Sequence, residues 1–209
     1  MENRKNYQKE LDRIIEDISM TEKKPRLLLH ACCAPCSSYV LEYLSPFFDI
    51  TILYYNPNIS KEEEFQKRYA ELSRLIKEMG LEDNVKLLEP EYDPKEFFSR
   101  VRGYENCREG GDRCTICYSL RLEAAVRKAA EMKADYFCTT LSISPLKDAV
   151  RLNTIGESLG KLYSVKWLPS DFKKKGGYQR SIELSKQYSL YRQDYCGCIY
   201  SERERREIY

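Results

Sequence analysis

The chain has 209 residues, enough for one domain with its own buried core and no need of disulfides to fold. Charged residues make up 33% and hydrophobic residues 42%, and no apolar run approaches the length of a membrane span, so a membrane protein is excluded. The formal net charge of +2 names no partner, and the charged first 24 residues lack the apolar centre of a secretory leader, which points to the cytoplasm.

Residues 1–24 are expected to form an N-terminal helix, with Leu11, Ile14, Ile15 and Ile18 at helical spacing. The α/β domain proper is expected over 25–209. Its first strand is Arg26 to His30, an apolar run suited to burial on both faces. A cysteine-bearing loop follows, and Ser37 is expected to cap a helix to about Leu44. Asp49 to Tyr55 reads as the second strand, closed by Asn56-Pro57-Asn58. Ser60 and Glu63 read as a capping box for a helix ending at Gly80.

Val85 to Leu88 is a third strand and Pro94 to Val101 a short helix. The glycine-rich loop 102–113 precedes a helix over Thr115 to Met132. Asp135 to Thr140 is a fourth strand, Leu146 to Leu159 a helix ending at Gly160, and Leu162 to Lys166 a fifth strand. A flexible basic loop, Lys173 to Gly177, leads to a helix over Gln179 to Tyr188. Strands alternating with helices predict a single domain with a mainly parallel sheet and helices on both faces. In such sheets the binding crevice lies beyond the carboxyl ends of the strands, where the loops after strands one and four both arrive.

Eight of the nine cysteines fall in three tight groups. The first lies in His30-Ala31-Cys32-Cys33-Ala34-Pro35-Cys36, the second is Cys107, Cys114 and Cys117, and the third is Cys196-Gly197-Cys198. Grouped thiols in a reducing compartment indicate soft-metal ligation, redox chemistry or both. A pair from each of the first two groups makes a four-thiolate site that suits structural zinc or an iron–sulfur cluster. The adjacent Cys32-Cys33 pair and the surplus of thiols favour the cluster. Gly197 lets the chain bend enough for a small, easily cycled ring between Cys196 and Cys198, so a redox dithiol is favoured over a third ligand pair.

Cys138, inside an apolar strand, reads as core. Two readings of His30 stand open: a hydrogen bond to a cluster sulfur, or packing at the strand end. Cys36 and Cys107 are left to a further metal or to tuning the site. Basic residues concentrate after residue 160, interleaved with several of the 17 tyrosines. From composition alone this region, Lys173, Lys174, Lys175 and Arg180 included, reads first as a solvated face, and phosphate contacts are the alternative that a nucleic-acid substrate would favour.

These motifs, together with Thr139-Thr140-Leu141-Ser142-Ile143-Ser144-Pro145-Leu146-Lys147, resemble the epoxyqueuosine reductase QueH family from about residue 25 to 201. The resemblance implies a Rossmann-like, HUP-type fold and a cobalamin-independent oxidoreductase. The reaction would be reduction of epoxyqueuosine in tRNA to queuosine, the last step of queuosine synthesis. It further implies that Cys32, Cys33, Cys114 and Cys117 hold a [4Fe-4S] cluster and that Cys196 and Cys198 form a redox-active disulfide, with an additional iron beside the cluster. The partners would be the tRNA anticodon loop, carrying the modified base, and an electron donor. Asp148, a cysteine or a tyrosine would supply protons. Two rivals share parts of this pattern: a zinc-stabilised RNA-binding module, and an ATP-dependent tRNA thiolation enzyme, which needs a glycine-rich phosphate loop where this chain has none.

Overall fold

The computed structural model describes residues 5–208, with side chains described through 206; residues 1–4 of the expected N-terminal helical segment, and Tyr209, lie outside the described residues. Five strands form one all-parallel sheet: β1 (Arg26–His30), β2 (Asp49–Leu53), β3 (Val85–Leu87), β4 (Tyr136–Thr139) and β5 (Lys166–Trp167), in the order β3-β2-β1-β4-β5. Eight α-helices accompany them among the described residues: α1 (Tyr7–Ser19), α2 (Ala34–Leu44), α3 (Glu62–Glu78), α4 (Lys95–Arg100), α5 (Asp112–Glu131), α6 (Ala149–Tyr163), α7 (Gly177–Gln187) and α8 (Ile199–Ile208).

The central strand explains the layering. Leu27 and Leu29 of β1 pack in one core with Leu11 of α1, Leu41 of α2 and Leu72 of α3. Leu28 points the other way, to Leu122 and Val126 of α5 and Leu152 of α6. The period-two alternation of a strand therefore feeds two apolar layers, one on each face. The N-terminal helix belongs to the first of these layers, with Leu11 fully buried.

Several boundaries differ from expectation, each for a local reason. Helix α2 starts at Ala34, ahead of Ser37, because Pro35 suits the first turn; the Ser37 hydroxyl donates to the Cys33 carbonyl at 2.8 Å instead of capping. Ser60 does not cap α3, which begins at Glu62; its hydroxyl accepts the Ile199 amide at 2.9 Å, 139 residues away. Leu162 lies in α6 and is 74% exposed, so the fifth strand shrinks to Lys166–Trp167. Helix α8 has no counterpart in the sequence pattern: Glu and Arg dominate it, leaving no apolar stripe to read.

The sheet order places the topological switch between β1 and β4. The loops leaving those two strands diverge there and open a crevice at the carboxyl edge. Cys32 follows β1 and Thr140 follows β4; the Cys32 amide donates to the Thr140 hydroxyl at 3.4 Å.

Candidate active site at the carboxyl edge of the sheet

The first cysteine group is built by the turn from β1 into α2. Cys33 is the extended residue that precedes the helix and Cys36 lies in its first turn. The Sγ atoms of Cys32, Cys33 and Cys36 all lie within 4.8 Å of one another. The Cys33 and Cys36 thiols both reach Cys32, and this holds the Cys32 thiol well below its ordinary range. Proximity to Cys32 pushes Cys33 up to about 12 and Cys36 upward as well. The trio thus shares one readily formed thiolate on Cys32, a donor set suited to a soft metal.

Cys114 and Cys117 stand in the first two turns of α5, where helix spacing puts them on one side. The Gly110 amide donates to Cys114 Sγ at 3.2 Å. Burial raises both thiols, Cys117 to about 11. Cys114, Cys117, Cys196 and Cys198 line one small cavity, together with Asn58, Arg121 and Lys147. A larger cleft of about 350 Å³ is lined by Cys32, Cys36 and Cys196, among others. Cys196, Arg121 and Lys147 line both spaces, so the third cysteine group sits between the first and the second.

Cys196 and Cys198 are free thiols with their Sγ atoms 3.4 Å apart. The contact between the two sulfurs, with Lys147 nearby, brings Cys196 down to about 5, while Cys198 is driven upward by the same contact. The segment is firmly held. Asn58 Nδ2 and Arg68 Nη1 donate to the Cys196 carbonyl at 3.1 and 3.3 Å, and the Ser60 amide donates to the Gly197 carbonyl at 3.0 Å. Glu109 bridges Lys147, at 2.9 Å, and the Ser201 hydroxyl, at 3.0 Å.

The remaining expected residues are placed differently from one another. His30 is fully buried, and none of its bonds goes to sulfur: Nδ1 bonds Thr139 Oγ1 at 2.8 Å, and Nε2 faces the Tyr55 carbonyl at 3.0 Å and Arg121 Nε at 3.2 Å, donating to the first in one neutral tautomer or accepting from the second in the other. Burial and Arg121 lower it to about 3, so the ring is neutral. Cys138 is core, its thiol donating to the Leu168 carbonyl at 3.3 Å.

Asp148 is a helix cap rather than a cleft residue; its carboxylate accepts the Arg151 amide at 3.0 Å and it lines neither space. Cys36 and Cys107 do not come together. Helix α2 turns Cys36 toward Cys32 and Cys33, whereas Cys107 lies in the loop before α5 and lines neither space.

The expected phosphate contacts are largely occupied. Lys173 pairs with Asp171 at 2.6 Å, Lys175 with Asp12, and Arg180 with Glu42 at 2.7 Å; only Lys174 has no carboxylate partner among the described residues. The cations on the cleft wall are others: Arg68, Arg121, Lys147, Arg192 and Arg205, with Tyr178 and Tyr195 beside them. No sequence motif marked Arg68, Asn58 or Glu109, although Arg121 lies one helical turn beyond Cys117.

A parallel α/β domain with a three-cysteine cluster able to hold a metal beside the cleft at its switch point defines a cysteine-rich α/β protein with a candidate metal centre. The epoxyqueuosine reductase QueH family profile matches residues 27–204. Epoxyqueuosine reductase QueH of Streptococcus pyogenes serotype M1 is 41% identical over 198 residues, covering 94% of this chain and 78% of that protein. The Thermotoga maritima protein of that name is 35% identical, covering 87% and 92%. The chain belongs to the epoxyqueuosine reductase QueH family and is an oxidoreductase. Among solved structures, the U34-tRNA thiolase NcsA from Methanococcus maripaludis, with its [4Fe-4S] cluster, superposes with a TM-score of 0.54 at 16% identity, covering 92% of this chain and 67% of that one, a likeness of fold. No helix among the described residues is long and apolar enough to cross a membrane.

Proposed function

We infer that this enzyme reduces the epoxide of epoxyqueuosine in tRNA to the alkene of queuosine, with a [4Fe-4S] cluster held by Cys32, Cys33, Cys114 and Cys117. The observation that carries this reading is the convergence of all three cysteine groups on two spaces that share Cys196. The donor chemistry fits: thiols from two elements, one of them held as a thiolate by its neighbours, with Cys36 beside them as a further sulfur. When bound, such a cluster supplies single electrons.

Opening the epoxide to an alkene consumes two electrons and two protons and releases water. Oxidation of the Cys196–Cys198 dithiol to a disulfide yields the same two electrons and two protons, so the pair is a matched store. An external electron donor then returns the pair to the dithiol. Lys147, buried at the wall of both spaces, supplies positive charge where the leaving oxygen gathers negative charge. Glu109 fixes Lys147 in that place.

The cleft of about 350 Å³ accepts a single extruded base, and a tRNA anticodon loop presents one. Arg192 and Arg205 are positioned for flanking phosphates, and Tyr178 and Tyr195 for stacking. A thiolation enzyme would need backbone amides free to cradle pyrophosphate after β1. Here that turn carries Pro35, which has no amide proton, and three thiols.

The reading is tested by anaerobic purification followed by iron, sulfide and zinc analysis and a turnover assay on tRNA carrying epoxyqueuosine. Brown protein with about four irons and four sulfides that forms queuosine is expected. Colourless, zinc-loaded protein without turnover would overturn it.

A further inference from the structure

Four lysine or arginine side chains are buried among the described residues, and three have an acidic partner. Arg68 pairs with Glu64 at 2.6 Å, Arg113 with Glu204 at 3.0 Å, and Lys147 with Glu109 at 2.9 Å. Arg121, 3% exposed, has none among the described residues. Its guanidinium meets neutral groups instead: Nη2 donates to Asn56 Oδ1, and Nε lies 3.2 Å from His30 Nε2. A buried cation without a counter-charge is strongly destabilising. The groups that face it are sulfurs, those of Cys117, Cys32 and Cys196.

The position of Arg121 is as informative as its charge. It lies on α5, one turn after Cys117, and so moves with the second cysteine group. Asn56 binds Arg121 through its oxygen and donates through Nδ2 to the Ala31 carbonyl at 2.9 Å, immediately before Cys32. His30, its other neighbour, ends β1 two residues before Cys32. Arg121 is thus a strut between the loop of the first cysteine group and the helix of the second, and it lines both spaces.

We propose that Arg121 is a positioning residue for the metal centre: its fork sets the spacing between Cys32–Cys33 and Cys114–Cys117, and its uncompensated charge sets the centre's reduction potential. The proposal rests on the metal-centre reading above. A positive charge beside the thiolates favours the reduced state, because reduction adds an electron to the same region. Omitting a carboxylate at this one buried cation leaves its whole charge directed at the sulfur.

Three variants separate the two roles. Arg121→Gln removes both fork and charge. Arg121→Lys keeps the charge and loses the fork. Asn56→Asp gives the guanidinium the carboxylate it lacks, at the cost of the bond to the Ala31 carbonyl. Each is purified anaerobically, checked for fold by circular dichroism, assayed for iron and sulfide, and titrated electrochemically. Arg121→Gln and Asn56→Asp are expected to lower the midpoint, with at least a tenfold smaller reduced-to-oxidised ratio at the wild-type midpoint, equivalent to about 59 mV for one electron. Arg121→Lys is expected to lose iron while its remaining clusters stay near the wild-type midpoint. Wild-type iron content and midpoint in Arg121→Gln and Asn56→Asp would overturn the proposal; if Arg121→Gln does not fold, Asn56→Asp decides it. A wild-type protein without iron would remove the metal-centre reading itself, whereas iron-loaded wild type with unmoved variants removes only the role of Arg121.

Discussion

Gly197 passes so close to Ile59 that a β-carbon at 197 would stand 2.7 Å from Ile59 Cγ1, and 3.2 Å from Arg68 Nη1. Its φ of +104° is also one that side-chain-bearing residues rarely adopt. The bend between Cys196 and Cys198 therefore exists only with glycine, and it is locked against the loop after β2. Gly197→Ala should cost about 1–3 kcal/mol of stability and abolish multiple turnover. Chemical denaturation and a turnover assay check this. A second change, Ile59→Ala, should relieve the clash yet leave turnover impaired, because the φ requirement remains.

The dithiol is asymmetric, and its pH behaviour follows. The Cys196 thiol is brought down to about 5, chiefly by its contact with Cys198 and then by Lys147. Because the shift is downward, Cys196 stays a thiolate above about pH 5 and loses reactivity only below it. Alkylation of Cys196 in reduced, metal-free protein should hold its rate from pH 8 down to about pH 6. Cys198→Ala and Lys147→Met should each move the midpoint of that profile upward. A wild-type profile that falls between pH 9 and 8 would contradict the assignment of Cys196 as the reactive thiol.

His30 links acid stability to the same region. Its proton affinity is depressed from 6.5 to about 3 in the folded chain, so the unfolded chain binds the extra proton between those values. Stability from this group is present above about pH 6.5 and is lost as pH falls toward 3, at up to about 1.4 kcal/mol per pH unit. The difference between wild type and His30→Gln, measured by denaturation of metal-free protein across that range, should carry this slope. A constant difference would show that His30 is protonated in the fold.

RNA affinity should follow the cleft rather than the basic loop. Arg192→Glu and Arg205→Glu should weaken tRNA binding and flatten its salt dependence by about 0.7 in log–log slope for each phosphate no longer neutralised. Lys175→Gln and Arg180→Gln, which remove cations already paired with Asp12 and Glu42, should change it little. Filter binding at several salt concentrations gives the ranking. The reverse order would return the RNA surface to Lys173–Arg180.

The amino-acid order by itself determined the alternating strand–helix plan, because β1 is a continuous apolar run and the longer helices carry regular apolar spacing. It also singled out the cysteines as the candidate site, since three thiol groups at short spacing need no structure to be seen. Contacts between distant segments were decided only by the tertiary structure. Ser60 reaches Ile199, Glu109 reaches Ser201, and Arg121 reaches Asn56 and His30, none of them within helical or strand period of its partner. The same holds for charge: Lys175 and Arg180 look like free cations in the chain and are neutralised by Asp12 and Glu42 from other helices, while Arg121, unremarkable in the chain, is the buried cation left to the thiols. Local pattern encodes periodicity and short-range chemistry, whereas burial and counter-charge are properties of packing.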